Sequence, residues 1–376
     1  MRVLLAPDSF GGTLSAVEAA AAMAAGWAAA APGDQLEQVP VSDGGPGFLG
    51  VLSSTLAGVP MAARVQDPLG RPVAASVLMV GDTAYVESAQ ACGLHHLSPQ
   101  ERDPLRTSTY GVGELLRTAL SGGARRIVVG LGGSGTNDGG AGALTALGLR
   151  HLDEAGVELE PGGAALARLD RTDRSELDPR LASVELVLAS DVDNPLLGPV
   201  GASAVFGPQK GASAAGVGAL DAALGRFATV HQRDGALGFD LASEPGAGAA
   251  GGLGAGLMVL GGHRVAGIAT VLRALGLAAR VATADLVVTG EGSFDWQSLR
   301  GKVVSGVAAA AMEQGVPCLV IAGQVAVGRR EMGAAGVSAA YAVADAAGSV
   351  EAALARPAEE LAALAAQVAR EWSRPS

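Results

Sequence analysis

The chain has 376 residues, 49% hydrophobic and 17% charged, with a formal net charge of −11. That length suits about two domains with ordinary cores, and the composition excludes intrinsic disorder. The acidic balance argues against a nucleic-acid partner or an anionic membrane surface. Cys92 and Cys318 lie far apart in apolar surroundings, as small buried residues of a reducing compartment do, and not as a disulfide framework. The first residues, MRVLLAPDSF, reach Pro7 and Asp8 too early for a secretory signal. The most apolar stretch, 246–262, is crowded with glycine and makes no convincing membrane span. A cytoplasmic protein is the expectation, with no nucleic-acid or membrane partner and its oligomeric state open.

In chain order, residues 2–6 read as a strand that breaks at Pro7. The loop DSFGGT leads into a helix over 16–31, capped by Thr13 or Ser15 and ended by Pro32-Gly33. Residues 36–41 form a second strand, which opens through SDGGPGF (42–48) into a helix over 49–56. Two successive strand–loop–helix units imply a parallel sheet with functional loops at the strands' C-terminal ends, so Asp8 and Asp43 should share one rim. Residues 73–80 and 83–87 look like a hairpin turned at Gly81-Asp82, and 107–122 like a helix.

The stretch RRIVVGLGGSGTNDGGAG, 125–142, organises the chain. Residues 127–129 are a β-branched run typical of a buried strand. Glycines and a Ser-Gly-Thr-Asn-Asp cluster follow, and 141–149 reads as helix. A strand that opens through glycines into a helix start presents backbone N–H groups and a positive dipole end to an anion such as phosphate. Gly132, Gly133, Ser134, Thr136, Asn137 and Asp138 are the candidates for that contact, and Asn137 and Asp138 offer oxygens to a bound Mg²⁺. GLGGSG (130–135) also matches the G-x-G-x-x-G pattern, with Asp153 near the ribose-binding offset. An NAD(P)-dependent oxidoreductase is therefore an alternative, although TNDGG intervenes where a dinucleotide-binding helix should begin at once.

Pieces at 152–159 and 169–177 have no clear assignment. Residues 184–189 are a buried strand ending in SDVDNP, where Asp191 and Asp193, two apart in an extended segment, share a face and can offer oxygens to a cation. FGPQKGA, a helix over 214–234 and the tract EPGAGAAGGLGAGL (244–257) come next. That tract is too rich in glycine for an ordinary helix and suggests close backbone approach. The end of the chain alternates again: strands at 285–289, 317–322 and 339–343, helices at 303–314 and 352–372, with GEGSFD after the first of these strands. The fold expectation is α/β: a doubly wound, flavodoxin- or Rossmann-like parallel-sheet domain of residues 1–72 and 283–376, with a second α/β domain, 73–282, inserted and glycine-rich loops facing a cleft.

Two scarcities sharpen the site. Only two of the 26 basic residues are lysines, Lys210 and Lys302, each in a glycine-containing motif. A chain that otherwise uses arginine keeps lysine where a compact point charge fits and a planar fork does not. Its two asparagines, Asn137 and Asn194, each adjoin an aspartate. The five histidines are scattered and offer neither metal-ligand spacing nor a Ser/His/Asp triad.

APDSFGGTLSA, SDGGPG, the 125–142 stretch, SDVDNPLLGPVGASAVFGPQKGA, GAAGGLG and VVTGEGSFDWQSLRGK occur in the order found in bacterial type I glycerate kinases, and the chain resembles that family over nearly its whole length. The resemblance implies two α/β domains, ATP and Mg²⁺ as cofactors, and phosphorylation of D-glycerate, to 2-phosphoglycerate in most of the family. A non-catalytic nucleotide- or metabolite-binding relative is the other alternative. On the kinase reading Asp191, Asp193 and Lys210 are the catalytic candidates. Asp8, Ser9, Asp43, Arg300 and Lys302 would bind substrate. The 132–138 loop residues and Glu291 would bind ATP, and Asp191, Asp193 and Asp295 the metal. Four positions depart from the family pattern: Gly11 stands where DSFKG has lysine, Pro46 and Phe48 where DGGEGT has Glu and Thr, and Ser293 where GEGRxD has Arg.

Overall fold

The computed structural model describes residues 1–235, 237–299 and 301–373. The chain divides into two compact units, one of Met1–Asp43, Gly50–Leu56 and Ile268–Ser376, the other of Gly44–Leu49 and Ala57–Gly267. Eleven strands of the two main sheets carry labels here. They are β1 (Arg2–Leu5), β2 (Gln35–Gln38), β3 (Val59–Gln66), β4 (Pro72–Val80), β5 (Thr83–Glu87), β6 (Arg126–Gly130), β7 (Glu185–Ala189), β8 (His263–Val265), β9 (Leu286–Thr289), β10 (Cys318–Ala322) and β11 (Ala339–Ala342).

The first unit holds an all-parallel sheet in the order β11-β10-β9-β1-β2. β9 and β10 are buried along their whole length, as strands covered on both faces must be. Val3, Leu5, Leu286, Val288, Leu319 and Ile321 pack with helices Ala16–Ala30 and Pro357–Trp372 in one core. The alternating Leu4, Val287 and Val320 are equally buried and point to the other face, where helix Val303–Glu313 lies against β9 and β10. Of the two caps the sequence offered for the first helix, Ser15 is the one used. Its hydroxyl accepts from Glu18 N while the Glu18 carboxylate accepts from Ser15 N, a reciprocal capping box.

The second unit is built on a mixed sheet in the order β8-β7-β6-β5-β4-β3. β8, β7, β6 and β5 are parallel neighbours, and β5, β4 and β3 form an antiparallel meander that includes the expected hairpin. β3 has no counterpart in the sequence expectation. It begins Val-Pro and is mostly exposed, so it lacks the buried alternation that announces a strand. Its pairing with β4 assigns residues 57–72 to the second unit, and residues 268–282 fall in the first. The unassigned pieces around 152 and 171 supply a two-stranded ribbon, Arg150–Leu152 with Arg171–Asp173. Among the described residues no helix is long and apolar enough to cross a membrane.

One difference from the sequence expectation bears on the site. The terminal helix is two helices, Val350–Ala355 and Pro357–Trp372, broken at Arg356 with φ −141°. A proline disfavours the helical conformation of the residue before it, so Pro357 ends one helix and starts the next.

Candidate active site

In the first unit the chain runs from β1 to β2 on one side, and β9, β10 and β11 are added on the other. The order of connection therefore reverses between β1 and β9 while every strand stays parallel, and the loops leaving these two strands flank the topological switch point, where open parallel sheets bind ligands. Asp8 and Ser9 follow β1, while Glu291, Gly292 and Ser293 follow β9. Asp8 N donates to Gly290 O at 2.8 Å, tying the two loops together.

A cavity of about 480 Å³ opens here, and Ser9, Gly11, Glu291, Ser293, Asp295 and Lys302 are among the residues that line it. Val343, Val350, Ala353, Leu354, Pro357 and Leu361 also line it. Of these aliphatic residues, Val350, Ala353 and Leu354 come from the helix before the break at Arg356, and Pro357 and Leu361 from the helix after it. Lys302 is the N-cap residue of helix Val303–Glu313, whose positive dipole end adds to its charge.

Two carboxylates of this unit, Asp8 and Glu291, are electrostatically strained. Burial, then the charges of Asp43 and Glu291, push Asp8 up to about 7, although its Oδ1 accepts from Ser9 N at 2.6 Å. Burial also raises Glu291, against the pull of the Ser298 hydroxyl and the Lys302 ammonium. Glu291 Oε1 is buried without a hydrogen-bond partner. Asp295 Oδ1 accepts from Gln297 N at 2.8 Å. Ser9, Glu291, Asp295 and Lys302 thus line one cavity of this unit, and Asp8 and Asp43 are coupled to Glu291 by charge. Arg300, the expected partner of a substrate carboxylate, lies outside the described residues.

The organising loop of the second unit looks different at close range. Residues 134–140 are buried, while Gly132 is half-buried and Gly133 exposed. Asp138 turns inward and accepts from Thr109 N (2.8 Å), Thr109 Oγ1 (2.9 Å), Gly140 N (3.1 Å) and Gly142 N (3.2 Å). Ala143 N donates to Thr109 Oγ1 at 3.1 Å. The donors at the start of helix Ala141–Ala146, expected to meet a phosphate, are satisfied by the chain's own carboxylate and hydroxyl. Asn137 Nδ2 donates to Ser203 Oγ at 3.0 Å. Lys210 is 2% exposed, and its ammonium donates to Ser134 Oγ (2.8 Å) and Thr136 O (2.7 Å). Burial pushes its pKa down to about 8, with Cys92 and Asp138 pulling it back up. In this geometry Lys210 tethers the loop. The next helix begins only at Ala141, so GLGGSG lacks the immediate helix that a dinucleotide fingerprint needs.

The glycine tract 244–257 supports this loop from behind. Gly251 has φ +69°, and a Cβ there would stand 1.9 Å from Thr136 O, while Gly139 N donates to Gly251 O at 3.1 Å. The close backbone approach expected of the tract is made to the loop itself. Pro46 and Phe48 also belong to packing in this unit. Phe48 is fully buried, edge-on to Tyr85 at 6.1 Å, and a Cβ on Gly133 would meet Pro46 Cγ at 2.5 Å.

Asp191 and Asp193 are exposed beyond β7, and Asp191 Oδ1 accepts from Gly267 N at 2.9 Å. Among the described residues no three His, Cys, Asp or Glu side chains form a metal-holding group. Two of the scattered histidines do meet inside the second unit, His151 Nε2 lying 3.1 Å from His231 Nε2. The sequence reading overlooked Glu87, buried at the end of β5, which accepts from Gly47 N and Leu49 N at 3.0 Å each and so holds the SDGGPGF loop. An acidic residue closing an apolar strand, TAYVE, was its visible signal.

Comparison with known proteins extends the picture to the whole chain. The model of the glycerate kinase family matches residues 3–373. The glycerate kinase of Bacillus subtilis strain 168 is 48% identical over 328 residues, 86% of this chain and 85% of its own. The glycerate 2-kinase of Escherichia coli K12 is 45% identical, covering 86% of each chain. A crystal structure of a Salmonella typhimurium LT2 protein, provisionally described as glycerate kinase 2, superposes with a TM-score of 0.85 at 40% identity, covering 99% of this chain and 98% of that one. The chain belongs to the glycerate kinase family.

Proposed function

We propose that the protein transfers the γ-phosphate of Mg-ATP to a hydroxyl of D-glycerate, giving 2-phosphoglycerate. The observation that carries this reading is the cavity lining of Glu291, Asp295 and Lys302 at the switch point of a parallel sheet, with Asp8 and Asp43 coupled to it by charge. Phosphoryl transfer passes through a loose transition state, so catalysis consists mainly of positioning and charge neutralisation. Lys302 and the helix start beside it neutralise charge on the transferred group. Asp8, held near neutrality, suits a proton acceptor for the glycerate hydroxyl at physiological pH. Ser9 and Asp43 flank it as hydroxyl partners.

A divalent cation fits this donor set. Glu291 Oε1 is buried and unpartnered, Asp295 lines the same cavity, and Mg²⁺ takes a few carboxylates together with phosphate and water. Bound there, it would supply charge neutralisation across the phosphates. The exposed Asp191 and Asp193 are the second candidate pair for metal or substrate. Lys210, Thr136, Asn137 and Asp138 act on this reading as the frame that positions Gly132 and Gly133.

The test is ADP release with Mg-ATP and D-glycerate, with the product read by phosphorus–proton coupling in NMR. Glycerate-dependent release with phosphorus coupled to the C2 proton is expected. Coupling to the C3 protons would move the reaction to the other hydroxyl. No release, with Mg-ATP still bound, would remove glycerate as the acceptor.

A further inference from the structure

We infer that the aliphatic side of the first unit's cavity seats the base of the nucleotide, with its phosphates running along the Ser9–Gly11 and Lys302 side. This deepens the kinase reading and rests on it. It also assigns the phosphates of ATP to a different loop from the 130–142 stretch that the sequence suggested.

The cavity is several times larger than a three-carbon acid requires, and its volume of about 480 Å³ lies within the range of sites for nucleotide-sized ligands. Its lining is of two chemical kinds, one of polar and charged residues and one of aliphatic residues. Glycerate has a carboxylate and two hydroxyls on three carbons and offers nothing to an aliphatic surface. A purine offers a flat, weakly hydrated face. Val350 and Leu354, one helical turn apart, are 36% and 56% exposed at this cavity, next to the buried Ala353 and Leu361. Two aliphatic side chains held in solvent beside a crevice gain most when a flat apolar ligand covers them.

The polar part of the lining supplies what a polyphosphate needs. Lys302 brings the positive charge, the start of helix Val303–Glu313 brings the dipole, and Gly11 has no atom within 4 Å of where its Cβ would stand, so the backbone is open to approach. Glu291 and Asp295 would repel bare phosphates, and they become assets when a divalent cation is bound with the nucleotide. The second unit's loop offers no comparable opening, because residues 134–140 are buried and their helix-start donors are taken.

The experiment is calorimetric titration of the full chain with Mg-AMPPNP and, separately, with D-glycerate, for the unaltered protein and for Leu354→Glu and Leu354→Ala. Position 354 is exposed enough for both variants to fold, which thermal melting checks. Leu354→Glu places a carboxylate against the base and should weaken Mg-AMPPNP at least tenfold. Leu354→Ala should weaken it two- to fivefold, and D-glycerate should change less than twofold in either. Unchanged Mg-AMPPNP affinity in both variants overturns the assignment, as does a loss confined to D-glycerate. Those two results leave the kinase reading standing if the unaltered protein still turns over. Failure of the unaltered protein to bind Mg-AMPPNP at millimolar concentration overturns both readings together.

Discussion

Two glycine-rich regions of this molecule look alike in sequence and differ in what their polar groups do. The loop after β6 and the loops after β1 and β9 each follow a buried parallel strand, and each carries a carboxylate. After β6, Asp138 faces inward and accepts four hydrogen bonds from Thr109, Gly140 and Gly142, and Lys210 is spent on Ser134 and Thr136. After β1 and β9, Asp8 is pushed up to about 7 and Glu291 Oε1 is buried with no partner. Glycine density reports close backbone approach in both places. Each region leaves buried oxygens without a partner, the neutral Thr136 Oγ1 and Asn137 Oδ1 after β6 and the carboxylate Oε1 of Glu291 after β9, so the difference lies in which ionisable groups the chain has already paired.

The two lysines separate the regions most sharply. Lys302→Met should lower kcat by about 10²-fold or more, the cost typical of losing one preorganised charge partner of the transition state. Its melting temperature should stay within about 2 °C, because Lys302 is partly exposed and replaces no buried hydrogen bond. Lys210→Met should instead unfold early. It leaves Ser134 Oγ and Thr136 O without their donor, at about 1–3 kcal/mol for a stranded buried group. Equal losses of stability in the two variants, read by thermal melting beside steady-state kinetics, would erase the distinction.

Asp8→Asn tests the strained side by pH. If Asp8 accepts the substrate proton, turnover falls by about 10²-fold, and the limb of kcat/KM that rises through pH 7 disappears. Stability moves the other way. The folded-state pKa of Asp8 is raised, to about 7 from an ordinary value of 3.8, so the native protein holds a proton that the unfolded chain has released. Native stability therefore declines as pH rises through that window, and asparagine escapes the decline. Asp8→Asn should melt a few degrees higher at pH 8 and show no advantage below pH 4. A melting difference that does not grow with pH would mean that Asp8 is not strained.

The scaffold side breaks at Gly251. Gly251→Ala forces a side chain onto a φ of +69° and drives its Cβ to 1.9 Å from Thr136 O. The cost should be about 1–3 kcal/mol or more in denaturant unfolding. A neutral result would mean that the tract and the loop are not packed backbone to backbone.

These regions also show how far the sequence could be read. Buried strands were legible because parallel strands covered on both faces are continuous apolar runs, as in VVG after Ile127 and in LVIA after Cys318. Asp8, Glu291 and Lys302 were legible as loop residues at strand ends. The fate of Asp138 was not, because its hydrogen-bond partners include Thr109, 29 residues earlier in a segment read as helix. Helix Tyr110–Ser121 starts just after Thr109, which leaves that threonine free to serve the loop. The aliphatic side of the cavity was hidden for another reason. The Ala- and Leu-rich composition of 352–372 is uniformly helical, and the break at Arg356 follows from one residue, Pro357, whose effect is backbone geometry and not periodicity.

The smallest expected effect falls on Gly11, which with Ser293 is one of two positions lining the cavity where the chain departs from the family pattern. Gly11 lines the cavity, and a Cβ there would meet nothing within 4 Å, so Gly11→Lys introduces a side chain without displacing any neighbour. The unaltered lining has one lysine, Lys302, with Glu291 and Asp295. A second ammonium on a flexible stem should gain about 0.5–1 kcal/mol against a polyphosphate, the value of a partly exposed ion pair. That corresponds to a two- to fivefold lower Kd for Mg-AMPPNP, which shrinks as salt is added. Thermal stability should not change. If D-glycerate tightens instead and Mg-AMPPNP does not, the added charge has met the acceptor's carboxylate. The polar side of the cavity is then the acceptor's, and the contrast between an open nucleotide region and a closed scaffold loop has to be redrawn around Gly132 and Gly133.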